Sequence, residues 1–201
     1  MLNPSQKRAV EHFGKPLLVI AGAGSGKTKT LAYKLEHLIT KKGINPERIL
    51  LITFTNKAGK ELKDRAKKTT GIEIPWVGTF HSIALRILRQ DGKLVGIDPN
   101  FTVIDEEDKR RLLKSLLSQM GLSKELLELV ESYLFARREN LSEPKDETLE
   151  SIYRAYLNIL KEQNLMDFSG LMHELYGLLK EYPERWKNFF EFIMVDEFQD
   201  T

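Results

Sequence analysis

The chain has 201 residues, 41% hydrophobic and 30% charged, which is typical of a folded protein with one good core, or with one core and a second small one. The absence of cysteine excludes disulfides and thiolate metal sites, and the four histidines lack the spacing of metal ligands. A net charge of +2 does not by itself indicate nucleic-acid binding. No apolar run approaches the ~20 residues of a membrane span and no leader opens the chain, so we expect a cytoplasmic location and no membrane partner.

The first part of the chain alternates predicted strands and helices. Helices are predicted over about 5–12, from Lys27, over 57–68 and over 80–90, with strands near 17–21, 49–54 and 75–78 between them. Alternation of this kind is typical of a parallel sheet with helical crossovers.

The middle of the chain has the pattern of amphipathic helices packed on one another. Asp105, Ser123 and Asp167 occupy positions where a side chain caps a helix, Gly121 separates the first two helices, and Glu143-Pro144 interrupts the series. The apolar run 192–195 is then predicted as a strand in the buried middle of the sheet. The predicted domains are residues 1–88 plus 190–201 for the sheet and 89–189 for an all-helical insertion.

A glycine-rich turn lies between the predicted strand 17–21 and the helix that starts at Lys27. Such a turn directs several backbone N–H groups toward one point, where Lys27 adds positive charge and the Thr28 hydroxyl can reach Mg²⁺. The strict motif has glycine where Ala21 stands. The turn comprises Ala21, Gly22, Ala23, Gly24, Ser25, Gly26, Lys27 and Thr28. The pattern predicts a site for a triphosphate.

Two carboxylates follow the last apolar run. Asp196 and Glu197 supply what the loop lacks, one carboxylate to hold the metal through its water shell and one to orient or deprotonate an attacking water. Because Asp196 follows Lys27 by 169 residues, the helical region has to leave the sheet and return to it. The pair predicts hydrolysis as well as binding.

Five segments, in this order, resemble motifs of superfamily 1 DNA helicases of the UvrD/Rep/PcrA type. They are 2–10 (Q motif), 21–28 (Walker A), 52–58 (motif Ia), 78–82 (motif Ib) and 195–201 (motif II). The resemblance implies an α/β fold, a RecA-like parallel-sheet P-loop NTPase subdomain interrupted by the helical insertion. It also implies ATP and Mg²⁺ as cofactors. The implied partners are single-stranded DNA, a duplex junction and the remaining helicase domains, in cis or as a partner chain.

The resemblance assigns roles around the nucleotide. Gln6 would select adenine, because a primary amide presents a donor and an acceptor side by side. Lys27 would contact the β- and γ-phosphates, and Lys29 stands where relatives often have arginine. Thr28 and Asp196 would hold Mg²⁺, and Glu197 would orient the attacking water. Gln199 would belong to the γ-phosphate-sensing region.

The resemblance also assigns DNA-binding groups to two predicted strand ends. Aromatic rings there would stack bases, and hydroxyl or amide neighbours would hold phosphate. The residues are Phe54, Thr55, Asn56, Thr79, Phe80 and His81. A core position for Phe54 and a packing role for His81 are the plain alternatives. The basic runs, such as Arg65, Lys67 and Lys68, are interpreted as solvated helix faces.

The family's later motifs are expected beyond Thr201, among them arginines from a second domain that stabilise charge on the γ-phosphate. This chain alone is therefore expected to hydrolyse ATP poorly and not to unwind DNA. The sheet strand that the family has after motif II is likewise expected beyond Thr201, and without it the sheet would have an open edge toward solvent or a partner. Two alternatives stay open: a phosphate-loop kinase, which has no use for motif Ia, and a nucleotide-gated DNA-binding or assembly module that needs a partner chain for turnover.

Overall fold

The computed structural model describes residues 2–22, 24–139 and 146–200. The chain forms two compact units, Met1–Ile83 with Glu184–Thr201, and Ala84–Pro183. The functional domain boundaries placed at 88 and 190 from the sequence stay a prediction.

In chain order the helices and strands are α1 (Pro4–Glu11), α2 (Lys27–Thr40), β1 (Ile49–Ile52), α3 (Asn56–Thr70), β2 (Val77–Gly78), α4 (Phe80–Asp91), β3 (Thr102–Val103), α5 (Glu106–Gln119), α6 (Leu127–Glu139), α7 (Glu147–Glu162), β4 (Leu165–Met166), α8 (Phe168–Glu181), α9 (Pro183–Lys187) and β5 (Phe192–Val195). Helices and strands alternate as predicted from α2 to α4, but among the residues that the structure describes no strand separates α1 from α2. No helix within the described ranges is long and apolar enough to cross a lipid bilayer.

The first unit is built on a three-stranded parallel sheet with the order β2-β1-β5. All four residues of β1 are buried, and helix α2 supplies Leu35 and Leu38 to the same core. In the register of the sheet, Ile52 pairs with Gly78 on one side and with Val195 on the other. The carboxyl ends of the three strands therefore line up along one edge of the sheet, and the residues that follow the strands lie at this edge.

Aromatic packing anchors the return of the chain to this sheet. The rings of Trp76 and Trp186 meet edge to face at 5.4 Å, and an Arg48 guanidinium N–H donates to the Phe189 carbonyl at 2.8 Å. The Glu191 N–H donates to the Arg48 carbonyl at 2.8 Å, one residue before β5 begins. These contacts set β5 beside β1 in the register that places Asp196 at the edge.

The structure corrects two predictions about the sheet. Residues 17–21 form no strand, and Leu18 and Ile20 are 71% and 90% exposed. Strand β5 is not in the middle of the sheet but is an outermost strand, with Ile193 61% exposed. The physical reason is that an apolar run becomes a strand only when another strand satisfies its N–H and C=O groups. Among the described residues, no strand lies on the outer side of β5.

The second unit is a helical core with one addition. Asp105 and Asp167 cap α5 and α8 as predicted, and Ser123 caps a short 3₁₀ turn that leads into α6. The insertion is not all-helical, because β3 and β4 form a two-residue parallel pair. The pair arises because both segments are extended where they leave one helix and enter the next, so that each satisfies the backbone of the other. The predicted break at Glu143-Pro144 lies outside the described residues.

Candidate functional site

The loop that the sequence predicts to bind phosphate has a glycine-dependent backbone. Gly24 and Gly26 have φ angles of 72° and 87°, the left-handed region that favours glycine. A Cβ at Gly26 would also lie 3.0 Å from Nε2 of Gln6. Ala23, a predicted member of the loop, lies outside the described residues.

Helix α2 differs from other helices of the chain at its N-terminus. Gly26 is its N-cap, and no side chain there accepts a hydrogen bond from the first turn. Five other helices, α1, α3, α5, α7 and α8, have a side-chain cap, from Asn3, Thr55, Asp105, Asp146 and Asp167 respectively. The first N–H groups of a helix have no intrahelical partner and carry the positive end of its dipole, so an uncapped N-terminus suits an anion.

Lys27 joins the loop to the distant carboxylates. Its Nζ lies 3.5 Å from Oε1 of Glu197 and donates to the Ala21 carbonyl at 3.3 Å. The two charged side chains are 29% and 37% exposed, so the pair is open to solvent and to ligand. The structure thus brings together two groups that the sequence places at opposite ends of the chain.

Asp196 and Glu197 are adjacent carboxylates in different environments. The Asp196 N–H donates to the Ile52 carbonyl at 2.8 Å, and Glu197 has the left-handed φ of 50°. Burial, and then the charge of Glu197, raises the pKa of Asp196. A 2.6 Å hydrogen bond from Gln199, and then the charge of Lys27, lowers the pKa of Glu197. Glu197 is therefore the carboxylate held in its charged form.

The donors at this edge fit Mg²⁺. The ion prefers oxygen ligands and is commonly held by one or two carboxylates together with substrate phosphates. Asp196 offers a partly buried carboxylate whose charge a cation would compensate, and Thr28 offers a hydroxyl in the first turn of α2. No group of three or more histidine, aspartate or glutamate side chains suited to a metal occurs in the described part of the chain. These residues suit an ion that brings phosphate oxygens with it.

Gln6 is hydrogen-bonded to both its own helix and the loop. Its Oε1 accepts from the Asn3 N–H at 2.9 Å, and its Nε2 donates to the Ser25 carbonyl at 2.9 Å. The side chain of Asn3 in turn accepts from the Gln6 N–H, which completes a capping box at α1. Sequence reasoning missed this role, although Asn3-Pro4-Ser5-Gln6 carries its signal.

The predicted DNA-binding groups lie at the same edge as Asp196. Phe54 is 63% exposed, so it is not a core residue, and Asn56 and His81 are exposed as well. Phe80 is partly buried. The Thr55 hydroxyl caps α3 by accepting from the Ala58 N–H, and the Thr79 hydroxyl accepts from the Ser82 N–H. The two hydroxyls therefore already have local partners.

Comparison with known families gives the site its context. The family model described as the UvrD/REP helicase N-terminal domain matches residues 2–201. The chain belongs to this family. The family resemblance drawn from the five motifs is confirmed, and so is the α/β fold class of a RecA-like domain with parallel strands.

Several curated members of the UvrD/REP family are similar to the whole chain. A probable DNA helicase II homolog of Mycoplasma capricolum is 38% identical, and 31% of its length is covered. The ATP-dependent DNA helicase UvrD1 of Mycobacterium leprae is 38% identical with 28% covered, and the ATP-dependent DNA helicase PcrA of Staphylococcus aureus is 35% identical with 30% covered. The chain spans about three tenths of the length of these relatives.

Proposed function

We propose that this chain is the ATP-binding and hydrolysing N-terminal core of a DNA helicase that translocates along single-stranded DNA. One observation carries the proposal: the uncapped N-terminus of α2 lies beside Lys27, whose ammonium group lies 3.5 Å from Glu197. An anion site, a cation and a carboxylate at one point are the parts that phosphoryl transfer to water requires. Two relatives, UvrD1 and PcrA, are ATP-dependent DNA helicases, which supports ATP as the nucleotide.

The proposed mechanism begins with an exchange of partners at Lys27. On nucleotide binding, its ammonium group leaves Glu197 and the Ala21 carbonyl for the β- and γ-phosphates, while the loop N–H groups hold the phosphate chain. Glu197 is then free to accept a hydrogen bond from the attacking water and to take its proton. Its lowered pKa keeps it charged for this purpose.

Thr28 and Asp196 would hold Mg²⁺, which when bound neutralises charge on the phosphate oxygens. The nucleotide-binding set would comprise Gln6, Ala21, Gly22, Ala23, Gly24, Ser25, Gly26, Lys27, Thr28 and Lys29. Gln6 would exchange its bond to the Ser25 carbonyl for one to adenine, which links base recognition to the loop that holds the phosphates.

DNA would bind across the same edge of the sheet. The exposed ring of Phe54 would stack on a base, and Thr55, Asn56, Thr79, Phe80 and His81 would line the strand on either side. The duplex junction and the remaining helicase domains, in cis or as a partner chain, are further proposed partners. Turnover by this chain alone is expected to be slow, because an arginine from a second domain contributes on the order of a thousandfold in rate.

Mg-ATP binding and steady-state hydrolysis test the proposal, measured with and without oligo-dT and compared with Lys27→Ala. We expect Mg-dependent binding that Lys27→Ala weakens at least tenfold, with circular dichroism of the variant unchanged. DNA-stimulated turnover would support the helicase core. Binding of ATP and DNA with no stimulated turnover would support the alternative, a nucleotide-gated DNA-binding or assembly module. An unaltered, folded chain that binds no ATP would overturn the proposal.

A further inference from the structure

Helix α3 concentrates the positive charge of the chain. It carries six lysine and arginine residues against two acidic ones. The whole chain has 31 basic and 29 acidic residues, so the rest of it has 25 against 27 and is slightly negative. The net charge of +2, which is uninformative as a total, therefore comes entirely from one helix.

The charge lies on an exposed face. Leu62 and Ala66 of α3 are 0% and 2% exposed and pack into the core of the first unit, which turns the lysines toward solvent. A shallow groove of about 470 Å³ runs along the outer face. It is lined only by charged side chains: Lys57, Lys60, Glu61, Asp64, Arg65 and Lys68. These positions recur at the spacing of a single helix face.

This face begins where the exposed ring of Phe54 lies. Phe54 precedes α3 by two residues, and Lys57 is the second residue of the helix. From Lys57 to Lys68 the helix rises roughly 16 Å. A base can stack on the open face of an aromatic ring only when it is unpaired, so the polymer that fits this end of the face is single-stranded.

We propose that the outer face of α3 is a phosphate-binding track for single-stranded DNA, on which Lys57, Lys60 and Lys68 bind the backbone of the strand whose base stacks on Phe54. The proposal rests on the DNA-binding function proposed above and extends it beyond the strand ends to the length of the helix. Lys67, on the neighbouring face, pairs with Glu73 at 2.5 Å and is not part of the track. The interpretation of these lysines as a merely solvated face does not explain why the face begins beside the exposed ring of Phe54.

Fluorescence anisotropy with labelled oligo-dT over a range of salt concentrations tests the track. Lys57→Gln/Lys60→Gln/Lys68→Gln is expected to weaken binding about tenfold or more at low salt. It should also flatten the slope of log affinity against log salt by about 2, which is about 0.7 for each of three phosphate contacts. The matched control, Lys114→Gln/Lys124→Gln/Lys161→Gln, removes the same charge from exposed lysines of the second unit and should stay within about twofold of the unaltered chain.

Two further variants separate the track from the stacking site and from loss of folding. Phe54→Leu should weaken binding and leave the salt slope unchanged, since stacking releases no counterions. Glu61→Gln/Asp64→Asn removes the acidic groups from the groove and should tighten binding several-fold. ATP binding by every variant should match that of the unaltered chain, which shows that the fold is intact.

The outcomes distinguish this proposal from the proposed function. If the unaltered chain binds oligo-dT and the triple lysine variant binds with the same affinity and salt slope, the track is wrong and the DNA-binding function stands. If the triple lysine variant loses affinity for a blunt duplex of equal length but keeps the affinity of the unaltered chain for oligo-dT, the assignment to single-stranded DNA is overturned. If the unaltered chain binds ATP but no oligo-dT, the DNA-binding function fails and the track fails with it.

Discussion

Asp167 and Asp196 each follow a short parallel strand, but the two carboxylates differ in burial and in hydrogen-bond partners. Asp167 comes after β4 in the second unit, where its side chain is 4% exposed and pairs with Arg138. It also accepts from the Tyr156 hydroxyl at 2.8 Å and from the Gly170 N–H at 2.8 Å. Its oxygens are therefore occupied by partners within its own unit.

Asp196 comes after β5 at the edge of the first unit and is only partly buried. It accepts from the Glu197 N–H at 3.1 Å. Burial, and then the charge of Glu197, raises its pKa. The comparison teaches that a strand followed by aspartate does not by itself mark a functional site. A carboxylate with its partners in place stabilises the fold, whereas one whose charged form is disfavoured by burial and by a neighbouring like charge is suited to a cation.

The largest expected effect is on stability, from Asp167→Asn. Asparagine keeps the shape of the cap at α8 but leaves the Arg138 guanidinium, which is 6% exposed, without a compensating charge. We expect the free energy of unfolding to fall by about 3–5 kcal/mol, measured by urea unfolding at pH 7. The control Asp146→Asn changes an exposed cap at α7 and should cost less than about 1 kcal/mol. Equal losses in the two variants would contradict the structural role given to Asp167.

Asp196→Asn should have the opposite sign. Folding raises the pKa of Asp196 above its ordinary value of 3.8, so protonation of this side chain stabilises the folded state at pH values below 3.8. This stabilisation is lost as the pH rises through the folded-state pKa. Removing the charge should therefore raise the melting temperature slightly at pH 7 and leave it unchanged near pH 3. The stabilisation by Mg-ATP should be lost at the same time. A variant less stable than the unaltered chain at pH 7, without ligand, would contradict this account of the site.

The smallest expected effect is a pKa shift from Gln199→Leu. The hydrogen bond from Gln199 is the first cause of the lowered pKa of Glu197, so its loss should move that pKa up toward the ordinary value of 4.5. Side-chain carboxyl carbon NMR during a pH titration measures the change. The control is Phe198→Leu, which changes the exposed side chain that precedes Gln199 and should leave the titration of Glu197 unchanged. An unchanged titration in Gln199→Leu would remove Gln199 from the site.

Much of the local structure could be predicted from sequence because it depends on neighbours within a few positions. The caps at Asp105 and Asp167 and the glycine-rich turn before α2 are patterns of this kind. The capping box of Asn3 and Gln6 was equally local and was missed because Gln6 was interpreted only as an adenine contact. The strand over 17–21 was wrong because strand formation depends on a partner from elsewhere in the chain.

The sequence by itself determined which candidate residues for binding phosphate and metal are present, in which order they occur, and which family the chain belongs to. Only the tertiary structure decided which of those groups meet and which are already occupied. It brought Glu197 to Lys27, gave the Thr55 and Thr79 hydroxyls local partners, and left Phe54 exposed at the start of a basic helix. Residue type and local periodicity are written in consecutive positions, whereas burial and charge pairing depend on segments that only folding brings together.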